Sequence, residues 1–518
     1  MRMTRLIGMV FLGVLLSSAS YAVGVSSVAD AAMKSDAAAV RALLAKKADV
    51  NDPQVDGTTA LHWAVYNENL GLVDQLLAAG ANPAAATAEG VTPLYLAAVS
   101  GNAQILDRLL RHGADANATV LKHGETLLMF AARTGRPEAV TLLLEVGSKV
   151  DARETLRQTT ALMWAAEQGH ADVIKLLVAA GADINAVSTV EEAKARRGVV
   201  YKQGENQHTG GVTPLVLAAR EGNLEAVKAL ADLGAALDKP AGDGSTAMLV
   251  AIQNGHYDVA RELVARGANI NKANEKGWTP LYLAVKHRNL ETGTIPVPNQ
   301  NQATDFIKLL LDHDVDVNAR INFNTEIRNG QRATWFEEEG ATAFMRAALC
   351  GDIEVMRMLI AKGADPTINT ADGTTALMAA AGVGYTEGFI QYRSKEDSIA
   401  TVKFLLDLGV DVNAQNAAGM TALHGAAHRA ALDEIQLLVD RGAAASLTLE
   451  SKPPRVERVG NIGLLPLDWA LGVPVGVQSS IYHADAVELI SRLMKERGIP
   501  IPARTLTLGG NTAIAAQK

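Results

Sequence analysis

Three groups of residues in this chain are candidates for metal binding or nucleophilic catalysis. Asp312, Asp314 and Asp316 place carboxylates at alternate positions in Asp312-His313-Asp314-Val315-Asp316-Val317-Asn318, as a calcium-binding loop does. An EF-hand loop also needs Gly at its sixth position and Glu at its twelfth, and Val317 and Phe323 stand there instead. His424 and His428 are four apart, so on a helix both face one side and could grip a metal, but a third ligand is missing. Cys350 would be a nucleophile if a neighbouring His or a helix N-terminus lowered its pKa. It precedes Gly351 at what reads as a helix C-terminus, where the dipole disfavours a thiolate. His-Glu-x-x-His, Gly-x-Ser-x-Gly and Gly-x-x-x-x-Gly-Lys are absent, so no complete catalytic set, metal site or cofactor site is read from the sequence.

The elements that position these residues repeat along the chain. A Thr, usually followed by Pro or Ala, then an apolar residue and an Ala pair, recurs at Thr59, Thr92, Thr126, Thr160, Thr213, Thr246, Thr279, Thr342, Thr375 and Thr421. Where nothing is inserted the spacing is 33 or 34 residues. One unit, residues 158 to 189, shows why such a pattern folds. Thr160 can cap a first helix, and the small Ala165 and Ala166 allow close approach of a neighbour. Gly169 ends that helix; Val173, Leu176 and Leu177 recur at helical spacing on a second; Gly181 supplies its left-handed end. Neither helix can bury its face alone, so units must stack.

Length and composition agree with an array. The chain has 518 residues, and hydrophobic residues make up 48 % of it while aromatics make up only 4 %, so its core is filled by Ala, Leu and Val in small regular layers. The net charge of -8, with no basic run longer than Lys46-Lys47 or Arg196-Arg197, argues against a nucleic-acid binder and against a polybasic membrane patch. Residues 1–22 read as a secretory signal: Arg2 and Arg5, an apolar run from Leu6 to Leu16, then Ser20-Tyr21-Ala22, with cleavage expected after Ala22. No other stretch approaches the roughly 20 apolar residues of a spanning helix, so no stable membrane insertion is expected after cleavage. With Cys350 as the one cysteine, an internal disulfide is excluded and the compartment reads as a bacterial periplasm.

The opening Asp56-Gly57-Thr58-Thr59-Ala60-Leu61-His62 and the closure Leu176-Leu177-Val178-Ala179-Ala180-Gly181-Ala182-Asp183-Ile184-Asn185 carry a resemblance to the ankyrin-repeat family. It covers nearly all of residues 26 to 502. The fold it implies is an all-α repeat solenoid of about 12 helix-turn-helix units with β-hairpin fingers. The domain reading is a capping repeat at 26–55, repeats at 56–189, 211–320 and 340–449, a degenerate last repeat at 450–502 and a loose tail at 503–518. Segments 190–210, 321–339 and 450–460 enlarge fingers, whereas 291–302, 384–397 and 472–484 fall between the two helices of a repeat. Long loops in a compact array are usually either functional or disordered.

The resemblance also implies how the array is used: fingers and helix-one faces line a concave surface on which a protein partner binds. Late helix-one residues on that surface are Tyr66, Arg133, Glu167, Arg220, Gln253, Lys286 and His287. His424, like His62, takes the consensus His, which typically hydrogen-bonds within the repeat, and Asp314 takes the place of the helix-ending Gly, where Asp tolerates the left-handed conformation. Trp63, Phe130, Trp164, Leu217, Leu283 and Trp469 share a core position of helix one. Arg346 stands in that slot in its own repeat, so either its stem snorkels outward or a carboxylate meets it. The 321–339 finger offers that carboxylate in Glu337, Glu338 or Glu339, next to Trp335 and Phe336. In an extended segment one of those two rings points out, which makes them candidate anchors for a partner, and Trp278 on the preceding finger extends the same surface. The expected function is a non-enzymatic protein-binding scaffold, periplasmic or secreted. A host-directed effector, a cell-envelope spacer and an enzyme whose site is assembled by the insertions are the alternatives.

Overall fold

A computed structural model describes residues 27–120, 123–192, 208–289, 300–322, 327–328, 331–332, 338–384, 394–452, 463–472, 482–502, 505–508 and 511–514. The leader expected over residues 1–22 lies outside the described residues, as do Trp335, Phe336, Glu337, Phe323 and the middle of each of the six insertions. The chain divides into two compact units, one ending at Leu156 and the other beginning at Arg157.

In the first unit the helix-one series is Val28–Met33, Ala60–Tyr66, Pro93–Ser100 and Leu127–Thr134, and the helix-two series is Ala37–Ala45, Leu70–Ala78, Ala103–Arg111 and Pro137–Glu145. In the second unit helix one is Ala161–Gln168, Pro214–Arg220, Ala247–Gln253, Pro280–Arg288, Ala343–Cys350, Ala376–Ala381, Ala422–His428 and Pro466–Ala470. The matching second helices are Ala171–Ala179, Leu224–Asp232, Tyr257–Ala265, Gln300–Leu311, Ile353–Ala361, Lys395–Asp407, Leu432–Asp440 and Ala484–Glu496. Within each unit, helix one packs on its own helix two and on helix one of the next repeat. This is the solenoid expected from the period.

The capping threonines explain where the first helices begin. The hydroxyl of Thr92 accepts from the Tyr95 N–H at 3.1 Å, and Thr279 and Thr375 do the same for Tyr282 and Met378. Gly169 ends its helix at φ +83°, and Gly181 closes the repeat at φ +92°, both conformations that a Cβ disfavours. In the Ala171–Ala179 helix Val173, Ile174 and Leu177 are buried, while Leu176 is half-buried. Met163, Ala186 and Leu217 form a core across two neighbouring repeats, with Trp164 and Val212 packed against it.

Within each unit two sets of hydrogen bonds tie neighbouring repeats together. Fingers join through single backbone bonds: Ala88 N–H to Asp56 O in the first unit, and Gly242 to Gly210, Glu275 to Asp243 and Asn322 to Lys276 in the second. The closing asparagines form the other set. Asn51 donates Nδ2 to Gly80 O at 3.1 Å and accepts from Asn82 N at 2.7 Å, and Asn318 does likewise with Gly363 and Asp365. Four two-stranded hairpins are described: β1 Thr119–Val120 with β2 Glu125–Thr126, β3 Val190–Glu192 with β4 His208–Gly210, β5 Ile327–Arg328 with β6 Gln331–Arg332, and β7 Thr505–Leu508 with β8 Asn511–Ile514.

Two expectations need correction. Asp314 does not take the left-handed conformation; Ser35, Lys47, Glu68, Gln158 and Ala430 are the described non-Gly residues with positive φ. After Leu311 the chain instead closes a tight turn through Val315 N–H and His313 O at 2.9 Å, which carries the backbone past Asp314 without it. The 503–518 segment holds the β7–β8 hairpin rather than only a loose tail, because its alternating Thr and Leu residues suit a pleated strand.

Candidate functional site

The helix-one row expected to meet a partner is the seventh residue after each capping Thr, and the structure splits that row in two. Tyr66 is 45 % exposed, Gln253 is exposed, and Arg133, Glu167 and Arg220 are half-exposed. Lys286 and Leu349, at the same position in the repeats beginning at Thr279 and Thr342, are 6 % and 1 % exposed. One residue further on, His287, Cys350 and Val383 are buried too, where Gln168 and Glu221 are exposed. Lys286 and His287 are therefore not open surface, contrary to the expectation. The three repeats with this buried row are those carrying or flanking the insertions at 291–302, 321–339 and 384–397.

Trp278 is also buried rather than extending a surface, and its ring lies 4.9 Å from both Lys276 Nζ and Lys286 Nζ. His287 is held down to a pKa of about 3, first by burial and then by the positive charges of Lys286 and Arg346. Its ring is consequently neutral at any physiological pH. Arg346 occupies the core slot of helix one, and Glu338 meets it: Nη1 donates to Oε1 at 2.7 Å, with both side chains 1 % exposed. Of the acidic triplet, Glu338 supplies this bond and Glu339 is exposed, its carbonyl accepting from Ala371 N–H at 2.7 Å. The finger is thereby braced against helix one of its own repeat.

A second polar cluster, not singled out in the sequence, lies beside this one. Arg288 meets Asp352, donates from Nη2 to Glu354 at 2.8 Å and from Nε to Thr304 Oγ1 at 2.8 Å, and Asn289 Nδ2 donates to Asp352 Oδ2 at 2.9 Å. At two earlier repeat junctions the polarity is reversed. Asn223 Nδ2 reaches back to Glu167 O at 2.9 Å, and His256 Nε2 to Arg220 O at 3.1 Å. The signal available in the sequence was an acidic residue, Asp352, at the turn where Asn102, His170, Asn223 and His256 stand.

The three groups that could do chemistry are occupied structurally. Asp312 pairs with Lys362 at 3.2 Å, and Asp316 accepts from Asn318 N–H at 3.0 Å as part of repeat closure. His424 Nδ1 accepts from Thr421 N–H at 3.0 Å, so Nε2 carries the proton donated to Leu464 O at 3.2 Å. His62 repeats the arrangement with Thr59 and Val91. Burial pulls His424 down to a pKa of about 4. His428 stacks edge-on against Trp469 with centroids 5.3 Å apart. Cys350 is buried beside the left-handed Gly351 that ends its helix. Trp63, Phe130 and Trp469 are buried as core residues, and Trp164 is partly buried.

The open row also carries a charge bridge between repeats, Arg220 Nη2 to Glu167 Oε1 at 2.6 Å, and Arg220 Nε meets its own neighbour Glu221 at Oε1 at 2.9 Å. Within each unit the geometry offers mixed-charge side chains on stacked first helices, with described fingers joined to their neighbours by backbone hydrogen bonds. A family model described as ankyrin repeats in three copies matches residues 28–120, 118–188, 198–274, 215–321, 271–370 and 300–391, and one for ankyrin repeats in many copies matches 390–439. Among solved structures, the human ASB11 ankyrin repeat domain is 26 % identical, with a TM-score of 0.39, over 47 % of this chain and 98 % of that one. The family-model matches, which run over most of residues 28–439, together with the period, the capping threonines and the stacked helix pairs, establish that the chain belongs to the ankyrin-repeat family.

Proposed function

We propose that this chain is a non-enzymatic scaffold of the bacterial periplasm, or a secreted one, that binds a protein partner on the open part of its helix-one row and on its finger loops. Ankyrin repeats are generally protein–protein interaction modules, typically without catalysis. The observation that carries the reading is the division of the row: Tyr66 and Arg133 in the first unit, and Glu167, Arg220 and Gln253 in the second, remain at the surface, while Lys286 and Leu349 do not. Mixed charges there favour a protein over a polyanion, and the net charge of -8 supports the same choice. No helix among the described residues is long and apolar enough to cross a membrane. Export rests on Arg2, Arg5, the apolar run to Leu16 and the small residues before Val23.

Photocrosslinking side chains placed singly at Tyr66, Gln253 and Leu349 test the binding reading in cells that make the protein. Crosslinks to a protein at Tyr66 and Gln253, with none at Leu349, are expected. N-terminal sequencing of the mature chain should begin at Val23; an intact Met1 on cytoplasmic material would remove the export part of the proposal.

A further inference from the structure

The β7–β8 hairpin follows the last repeat and makes no substantial contact with any other described element. Its sheet has two strands, so the outer edge of each strand has no strand neighbour among the described residues. A two-stranded hairpin by itself is marginally stable in water and gains independent stability only from a third strand or a covering element. The register pairs Thr505 with Ile514, Leu506 with Ala513, Thr507 with Thr512 and Leu508 with Asn511, leaving Gly509 and Gly510 between the strands. In a hairpin with two connecting residues the last pair exchanges both backbone bonds, and the pairs then alternate. The backbone N–H and C=O groups of Thr505 and Thr507 therefore point out along the β7 edge, and those of Thr512 and Ile514 along the β8 edge.

Natural sheets protect such edges with Lys, Pro, a bulge or a cover. Residues 505 to 514, Thr-Leu-Thr-Leu-Gly-Gly-Asn-Thr-Ala-Ile, contain no charged residue and no proline. The two edges are not equivalent. Thr-Leu-Thr-Leu holds no residue strongly depleted in strands, whereas β8 contains Asn511 and Ala513.

We propose that the β7 edge is a self-association site, pairing antiparallel with β7 of a second copy of this chain across a two-fold axis to make a four-stranded sheet. The edge is self-complementary: an uncharged edge meets an identical uncharged edge, so no like-charge repulsion opposes the pairing, and antiparallel pairing of identical strands closes after two copies. Four residues a side bury far less than the roughly 1,200 Å² at which stable interfaces begin, so the dimer is weak and concentration-dependent.

Sedimentation equilibrium of the full mature chain over a dilution series reads this directly. The weight-average mass should rise from monomer toward dimer with concentration. Thr507→Pro removes one outward donor from the β7 edge without touching the bonds to β8, and should hold the chain monomeric; a Thr505→Lys/Thr507→Lys variant, which keeps every backbone donor, should do the same. Thr512→Pro, on the other edge, should dimerise as the wild type does. A wild-type chain that stays monomeric up to its solubility limit overturns the proposal. So does a dimer that survives both β7-edge variants, or one that Thr512→Pro alone abolishes.

Discussion

Arg346 and Glu338, eight residues apart in sequence, form an ion pair inside the protein: Nη1 donates to Oε1 at 2.7 Å, and neither side chain is more than 1 % exposed. The arginine stands where other repeats hold Trp63, Phe130 or Leu217. A charge in that place is tolerable only because the finger returns a carboxylate to it just before the next capping Thr.

Removing either partner leaves the other charge buried. Glu338→Leu and Arg346→Leu should each lower stability by about 3 kcal/mol or more, whereas the double variant Arg346→Leu/Glu338→Leu should recover most of that loss. Urea unfolding of the three variants checks this, and equal additive losses would mean that the pair is not coupled.

This pair was legible in the sequence because two local facts required each other: a cation in an apolar slot, and a glutamate triplet within one finger of it. The capping threonines and the closing asparagines were legible for a similar reason, since each acts within one period. What lay beyond reach depended on non-local cover. Lys286 and His287 sit at the same register as Arg220 and Glu221, and nothing in their own repeat says that one pair is buried and the other is not. Trp278 reads as a finger aromatic, yet only the fold places two lysine ammonium groups against its ring. Asp314 failed for a finer reason, because the turn after Leu311 closes one residue earlier, at His313, and leaves Asp314 without a left-handed role.

His424 gives the protein an acid sensitivity with a definite sign. The unfolded chain takes up a proton near pH 6.5, but the native ring, buried and with Nδ1 already accepting from Thr421, resists protonation until the pH falls to about 4. Its contribution to stability is therefore complete above pH 6.5 and is lost as pH falls from there toward about 4. His424→Leu should be less stable than the wild type at pH 7 and lose less stability between pH 7 and pH 4.5. Urea midpoints at the two pH values settle it; parallel slopes for both proteins would remove His424 as the cause.

Gly425 stands in the helix-one slot that holds Trp63, Phe130 and Leu217 in their repeats, and its own neighbours explain why. A Cβ there would lie 2.5 Å from the Val383 backbone N and 2.9 Å from the Gly382 carbonyl carbon, and backbone cannot swing aside as a flexible side chain can. Gly425→Ala should lower stability by about 1–3 kcal/mol despite the better helix propensity of Ala. A thermal scan showing an unchanged or raised Tm would contradict the close approach of these two helices.

If the open helix-one residues and the 321–339 finger bind a protein, partner affinity measured on two variants will show it. One variant carries Tyr66→Ala, Arg220→Ala and Gln253→Ala; the other carries Trp335→Ala and Phe336→Ala. With the partner recovered by crosslinking, each variant should unfold at the wild-type temperature and bind more weakly, by about 30-fold where a true anchor has been removed. Undiminished affinity in both folded variants would contradict it.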